Sequence, residues 1–428
     1  MKKKLALALV FVMGLSFTAC GKTTVSDSTN EAVSGGVQST DTNEDKESSG
    51  KSDKTTITFI NGFTGGDGEY MTKIVDGFNE SQSDYYIEQL QDADHYTKFK
   101  SGDFDMLIIH ADWISTYHAM GLLREVSDIY DMAGISFEND FHDITKTYAK
   151  YDDGVFAFPL DLYAETTFYN KEYTDEAPKD YNDMIELRDK LDSENSGIYP
   201  YGLPLTGDQQ WAWMTALGQC GVNWVEDEHI KLDTEEACDA FMKIHDMIYK
   251  DHLSPAGLGA DDHFNTFISQ SETAANVKTV VSMTGPWKYT VAKEVLGDNL
   301  GIGTVPQIYG DKKCVPAGGH TFGVSSKVTD EKKIAGIAAF MKYTYQPDVL
   351  LNWADSGQAP VHLATMEVVK ANPEKYPVAA VNYTIFDDAM ILPAIYNIRE
   401  QVKYVNETVW SMVVQLSLIH ISEPTRHS

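Results

Sequence analysis

Hydrophobic and polar positions form short repeating blocks from residue 55 onward. Thr56-Ile57-Thr58-Phe59-Ile60 alternates with period two, the mark of a half-buried strand. A Gly-rich stretch, 61–68, follows, and then Met71, Ile74, Val75 and Phe78 are spaced to share one helix face. Residues 84–90 read as a second strand, and the continuous apolar run 104–109 as a strand buried on both faces. Ala111-Asp112-Trp113 opens a helix that runs through Met120 and is closed by Gly121. Further strands are expected at 154–160, 279–283 and 319–325, and helices at 178–191, across most of 211–249 and at 332–343. Strands alternating with helices predict a mostly parallel, doubly wound α/β sheet. In such sheets ligands sit outside the carboxyl ends of the strands. The candidate site loops are therefore 61–68, 110–113, 161–165 and 285–287, with 318–320 at the start of a strand.

A chain of 428 residues exceeds one ordinary core and suffices for two lobes. It carries 34 Lys+Arg against 64 Asp+Glu, a formal net charge of −30, which repels nucleic-acid phosphates and argues against a nucleic-acid partner. No internal repeat is visible.

Lys2, Lys3 and Lys4 precede an apolar stretch, 5–15, too short to span a bilayer but suited to a secretory signal. It ends in Phe17-Thr18-Ala19-Cys20-Gly21, which resembles the bacterial lipobox, although Phe17 stands where that motif prefers Leu. The resemblance implies a cleaved signal peptide, 1–20, and a diacylglycerol on Cys20, two chains being enough for stable anchoring. Residues 21–54 are Ser/Thr/Asp/Glu/Gly-rich, cannot bury enough apolar surface to order, and read as a tether. At the other end, 416–428 reads LSLIHISEPTRHS, which looks like a translated sequencing adapter, so it is treated as a non-native tail. Cys220, Cys238 and Cys314 show neither a disulfide framework nor metal-ligand spacing and are expected to be buried thiols.

The candidate loops supply the chemistry a sugar requires, since its C–H faces stack on aromatic rings and its hydroxyls need hydrogen-bond partners. Asp112 and Asp161 can accept paired hydroxyls, and Asp67 lies in the Gly-rich loop. Trp113, Tyr163, Trp211 and Trp287 can stack, and His320, beside Gly319, can donate to a hydroxyl or simply pack. Trp213 and Trp224 lie in helix-like stretches where core packing is the commoner role, and Asp105 fits a strand-supporting role. No cofactor or metal is implied.

The order of segments resembles the extracellular solute-binding proteins of ABC sugar importers, the larger sugar and oligosaccharide binders. The residues carrying this are Phe104-Asp105-Met106-Leu107-Ile108 with Gly121-Leu122-Leu123, and Gly154-Val155-Phe156-Ala157-Phe158-Pro159 with Phe168-Tyr169-Asn170-Lys171. Ala177-Pro178-Lys179-Asp180-Tyr181, Thr284-Gly285-Pro286-Trp287 and Gly318-Gly319-His320-Thr321-Phe322-Gly323 complete the set, in family order. The resemblance implies a two-lobed, type II periplasmic-binding fold with its ligand cleft between the lobes. Its expected division is 55–165 for lobe 1, 166–305 for lobe 2, 306–375 returning to lobe 1, and 376–415 as C-terminal helices of lobe 2 or hinge. It also implies a carbohydrate ligand, permease subunits with their ATPase as partners, and a monomer on the extracytoplasmic face of a bacterial, Gram-positive cell membrane.

Four rival readings stand beside this one. The Gly62/Gly65/Gly66/Gly68 loop departs from a dinucleotide fingerprint and lacks the Lys-Ser/Thr of a P-loop. An exported glycoside hydrolase needs two facing carboxylates, which sequence proximity of Asp161 and Glu165 does not establish. A polyamine or other small cation would use the same acids and rings. A phosphorylated solute would want arginines, and few stand near the candidate loops.

Overall fold

The computed structural model describes residues 54–414 apart from 195 and 392–396. The expected signal peptide, Cys20, the tether up to residue 53 and the 416–428 tail lie outside the described residues.

In chain order the strands are β1 (Thr55–Asn61), β2 (Tyr85–Gln91), β3 (Met106–His110), β4 (Phe158–Pro159), β5 (Tyr163–Ala164) and β6 (Thr166–Asn170). There follow β7 (Tyr199–Tyr201), β8 (Thr279–Thr284), β9 (Leu300–Gly303), β10 (Val315–Gly318), β11 (His320–Val324) and β12 (Ala389–Ile391). They make three sheets, ordered β2-β1-β3-β11-β4, β9-β6-β8-β7 and β12-β10-β5. The helices used below are α1 (Gly68–Ser81), α2 (Ala111–Ala119), α3 (Gln209–Gln219), α4 (Tyr289–Leu296), α5 (Glu331–Thr344), α6 (Pro347–Asp355), α7 (Pro377–Ile385) and α8 (Ile398–Tyr404).

The first sheet forms where the period-two and continuous apolar runs place it. β1 buries Ile57 and Phe59, α1 buries Met71, Ile74, Val75 and Phe78 at helical spacing, and Met106 to Ile109 of β3 are at most 1% exposed. Asp105 ties this sheet to α5: its Oδ2 accepts the Thr58 amide at 2.9 Å, and Lys333 Nζ lies 2.8 Å from both carboxylate oxygens.

The expectation of a mostly parallel sheet is corrected. β1 is parallel to β2 and β3, but β11 runs antiparallel to both β3 and β4. In the second sheet β6 is antiparallel to β8 and β9, and only β7 is parallel to its neighbour. The reason is topological. A parallel return within one sheet needs a long crossover, whereas this chain leaves the first sheet after β4 and re-enters it directly from β10 through Gly319. The linking sheet is built from these crossings, with β10 antiparallel to β5 and parallel to β12. Asn382 of α7 fastens the outward crossing: its Oδ1 accepts the Ala164 amide at 2.7 Å and its Nδ2 donates to Thr166 Oγ1 at 2.8 Å.

Three further expectations change. The 154–160 strand is two short pieces, because Gly154–Val155 pairs with the neighbouring Lys150–Tyr151 whereas Phe158–Pro159 joins the first sheet. The 211–249 helical region is interrupted by a hairpin, Val225–Glu226 against His229–Ile230. Its turn residues Asp227 and Glu228 take φ of 49° and 61°, the left-handed geometry a tight two-residue turn requires. Among the described cysteines only Cys314 is buried; Cys220 caps α3, and Cys238 lies off the buried stripe of the helix Glu235–Tyr249, so both are half-exposed.

Candidate functional site

Three aromatic rings meet where the crossing strand β5 passes the second sheet. Tyr163 of β5 lies opposite Gly318 of β10. A Cβ at Gly318 would come within 2.4 Å of the Tyr163 hydroxyl, so glycine lets the ring lie flat on the strand. Trp211 stands in the first turn of α3, its carbonyl accepting from Thr215 Oγ1 at 2.7 Å. Trp287 follows Pro286 in a short turn after β8, where the fixed φ of proline starts the helix that becomes α4. The ring centroids are 5.4 Å apart for Tyr163–Trp287, 6.0 Å for Trp211–Trp287 and 6.2 Å for Tyr163–Trp211. Both tryptophans keep part of their surface exposed, whereas Tyr163 is 4% exposed.

Beside this corner Asp112, in the first turn of α2, forms an ion pair with Arg399 of α8. Burial alone works against the guanidinium charge. The Asp112 carboxylate, helped by Tyr163 and Tyr96, outweighs it and holds the Arg399 pKa above its ordinary value. Asp112, Arg399, Tyr163, Gln210, Trp211, Met214 and the β10 residues Ala317 and Gly318 line a cavity of about 10 Å³. Small-molecule sites are typically about 300–1,000 Å³, so the cavity as it stands is too small to hold such a solute.

The remaining candidates stand behind this cavity. Asp161 is wholly buried, with Oδ1 accepting the His320 amide at 2.9 Å and Oδ2 accepting Trp353 Nε1 at 2.6 Å. The His320 ring adds Nδ1 at 2.9 Å from Oδ2, so both oxygens of Asp161 have partners within the protein. Gly319 is buried between them, its carbonyl accepting the Ala111 amide at 2.8 Å. Asp67 is 8% exposed; burial raises its pKa, with His320 opposing. Trp113 is half-buried and lies against Tyr96 at 5.0 Å, tilted 30°. Tyr96 in turn meets His110: the His110 amide donates to the Tyr96 oxygen at 2.8 Å, leaving the phenol proton for His110 Nδ1 at 2.5 Å. Burial pushes the His110 pKa well down, consistent with a neutral, accepting ring. Trp213 and Trp353 are fully buried and Trp224 nearly so.

The structure thus brings Asp112, Tyr163, Trp211 and Trp287 together and sets Asp67, Trp113, Asp161, Gly319 and His320 behind them. Sequence reasoning missed Arg399, Gln210 and Met214. Arg399 is one of four arginines, but it lies in a C-terminal segment distant from every strand-end loop, so no local signal marks it. Arg399 is the one arginine among the residues lining this cavity, in keeping with the expectation of few arginines near the candidate loops. Among the described residues no group of three or more His, Cys, Asp or Glu side chains could hold a metal ion.

Next to the corner lie acids of a different character. Glu165 is 4% exposed, with Oε2 3.1 Å from Thr215 Oγ1; burial pushes its pKa up to about 8. Burial, with Asp261 adding and Lys288 opposing, lifts Asp208 to about 6. Burial takes His263 down to about 4.

The chain is 24% identical over 363 residues to the sn-glycerol-3-phosphate-binding periplasmic protein UgpB of Brucella abortus (strain 2308), covering 76% of this chain and 79% of that protein. It is 24% identical over 266 residues to the maltotriose-binding protein of Pyrococcus abyssi, covering 60% and 54%. Among solved structures, maltose-bound T. maritima MalE3 superposes with a TM-score of 0.71 at 20% identity, covering 84% of this chain and 95% of that one. The GacH receptor of Streptomyces glaucescens GLA.O gives 0.70 at 19%, covering 85% and 93%. The fold is the two-lobed, type II periplasmic-binding fold. The profile of the bacterial extracellular solute-binding proteins matches residues 73–377, and the chain belongs to that family.

Proposed function

We propose that this protein is the substrate-binding component of an ABC transporter, capturing a carbohydrate between its lobes and delivering it to a permease driven by its ATPase. The observation that carries this reading is the Tyr163–Trp211–Trp287 corner beside the Asp112–Arg399 pair. Rings offer surface to sugar C–H faces, while a carboxylate and a guanidinium side by side offer acceptors and donors to hydroxyls. Similar solved proteins include ones described as bound with maltose, acarbose or α-D-tagatose, which supports the same ligand class here.

The electrostatics favour a neutral solute over a cation or an anion. Asp112, the acid lining the cavity, already carries Arg399, so neither charge stands alone. Turnover is not expected, because Asp161, the carboxylate that would have to act as nucleophile or base beside a protonated Glu165, has both oxygens taken by His320 and Trp353.

The protein acts as a monomer held by lipid on Cys20 at the outer face of a Gram-positive membrane; the lipobox-like FTACG and the tether after it support this. The lobes divide as 55–165 with 306–375, and 166–305, with 376–415 as C-terminal helices; the separate five- and four-stranded sheets support that division.

A thermal-shift screen of the soluble protein from Lys22 tests the reading against sugars, oligosaccharides, polyamines and amino acids. A ligand at a hundredfold its dissociation constant adds about 2.7 kcal/mol of stability. A shift with one sugar class, recovered chemically unchanged, is expected. A shift with polyamines alone overturns the ligand class, and a consumed sugar overturns the binding role.

A further inference from the structure

The hydroxyl of Thr215 stands between two oxygens and has one proton to give. Thr215 Oγ1 lies 2.7 Å from the Trp211 carbonyl and 3.1 Å from Glu165 Oε2. A carbonyl oxygen can only accept, so the shorter contact takes the hydroxyl proton. The longer contact is then a hydrogen bond only if Glu165 is the donor. Counting donors gives a directed chain, from Glu165 Oε2–H to Thr215 Oγ1–H to the Trp211 carbonyl.

The surroundings of Glu165 suit a neutral acid. The residue is 4% exposed and stands between β5 and β6, its amide donating to the Pro316 carbonyl of β10 at 3.1 Å. Burial is the main reason its carboxyl keeps the proton, and the like charge of Asp208, just before α3, adds to it. Tyr201 of β7 and Tyr309 lie near it as neutral phenols, since burial raises the pKa of both.

The chain joins two walls of the aromatic corner. Glu165 follows Tyr163 by two residues on the crossing, and Trp211 stands in the first turn of α3. The Trp211 ring is 6.2 Å from that of Tyr163 and 6.0 Å from that of Trp287. An ionised Glu165 would be the stronger acceptor and would draw the Thr215 proton away from Trp211. The first turn of α3 would then lose this tie to the crossing, and the ring its fixed place.

We propose that Glu165 is a positioning residue for the sugar site: as a neutral donor, through Thr215, it holds Trp211 against Tyr163 and Trp287, and loss of its proton weakens solute binding. The effect on affinity rests on the carbohydrate reading above; the hold on Trp211 does not.

The test is fluorine NMR of the full chain labelled with 5-fluorotryptophan, titrated through the neutral and mildly alkaline range, with Trp211→Phe identifying the Trp211 resonance. In wild type that resonance is expected to move with a midpoint near the Glu165 pKa of about 8. The movement is expected to vanish in Glu165→Gln, whose amide donates at every pH, and in Thr215→Val, which has no hydroxyl to relay. A Trp211 resonance that does not titrate in wild type overturns the proposal, whether or not the variants fold. A movement kept in Thr215→Val is the direct field of the new charge and overturns the relay. The second arm is calorimetry at about pH 7 and about pH 9 with glucose, galactose, fructose, xylose, maltose and the longer malto-oligosaccharides. If only the protonated form binds, wild-type affinity falls about tenfold between the two, in proportion to the competent fraction. Glu165→Gln is expected to give one affinity at both. Equal wild-type affinities at the two pH values overturn the link to binding. No sugar bound at either pH counts against the carbohydrate reading and the link to binding together, and the fluorine result still decides the hold on Trp211.

Discussion

Trp353 donates its indole N–H to Asp161 Oδ2 at 2.6 Å, joining α6 to the first residue of the crossing between lobes. Asp161 Oδ1 accepts the His320 amide at 2.9 Å, so one buried carboxylate fixes α6, the outgoing crossing and the start of β11. A carboxylate with no exposure is tolerable only when such partners satisfy it.

Asp161→Asn is accordingly a stability mutation. The amide keeps the shape, but it removes the charge that strengthens these bonds and places a second donor among donors. A loss of about 2–3 kcal/mol is expected, read as a lower urea midpoint with an unchanged slope. An unchanged midpoint would show that the knot contributes nothing.

The tryptophans separate into two kinds. Trp287→Ala and Trp211→Ala are expected to weaken sugar binding at least tenfold, about 1.4 kcal/mol, by calorimetry. Trp213→Ala is expected to cost about 3–5 kcal/mol of stability instead, since Trp213 is fully buried and its Nε1 donates to Asn406 Oδ1 at 2.8 Å. Equal affinities for wild type and Trp287→Ala would remove the aromatic corner from the binding site.

Glu165 gives a pH dependence with a definite sign. Its folded pKa, about 8, lies above the ordinary 4.5, so the folded state binds the extra proton between those values. Stability from this group is complete below about pH 4.5 and is lost as pH rises toward 8. Asp208, lifted to about 6, acts in the same sense at lower pH, while His263, lowered to about 4, costs stability as pH falls below its ordinary 6.5. Glu165→Gln isolates the first effect. From pH 5 to 8 wild type should lose on the order of a few kcal/mol more than the variant. Parallel urea midpoints across that range would rule out a buried, protonated Glu165.

Asn382→Ala leaves the Ala164 amide without its acceptor and takes a donor from the Thr166 hydroxyl, which keeps its own bond to the Ala164 carbonyl at 3.1 Å. About 1–3 kcal/mol should be lost, and amide exchange at Ala164 should quicken relative to the core of β3. Unaltered protection at Ala164 would mean that the crossing is held by other contacts.

How much of this was legible depends on the range of the interactions. The elements β1, α1 and β3 could be read because their burial is periodic: Met71, Ile74, Val75 and Phe78 declare one face whatever lies against it. Strands β9, β10 and β12 carry no such pattern, since each is three or four residues long and exists by pairing with a remote partner. At the site, Trp287 after Gly285-Pro286 and Asp112 after β3 could be picked out from strand-end position. Asp161 and His320 were picked out by the same rule, but they lie 159 residues apart in sequence and are bonded to each other, which no local pattern reveals.

Charge, a leader-like start and strand–helix alternation are legible as composition and local periodicity, whereas the two-lobed binder follows from the resemblance of the ordered motifs to a known family. The chemistry of the cleft depends on the tertiary structure. Arg399 reaches Asp112 across nearly three hundred residues of chain, and three rings from three elements form one corner. Strand direction likewise followed from where the chain crosses between sheets. These outcomes depend on distances between remote segments, and those distances are set by the packing of the whole chain rather than by any stretch of it.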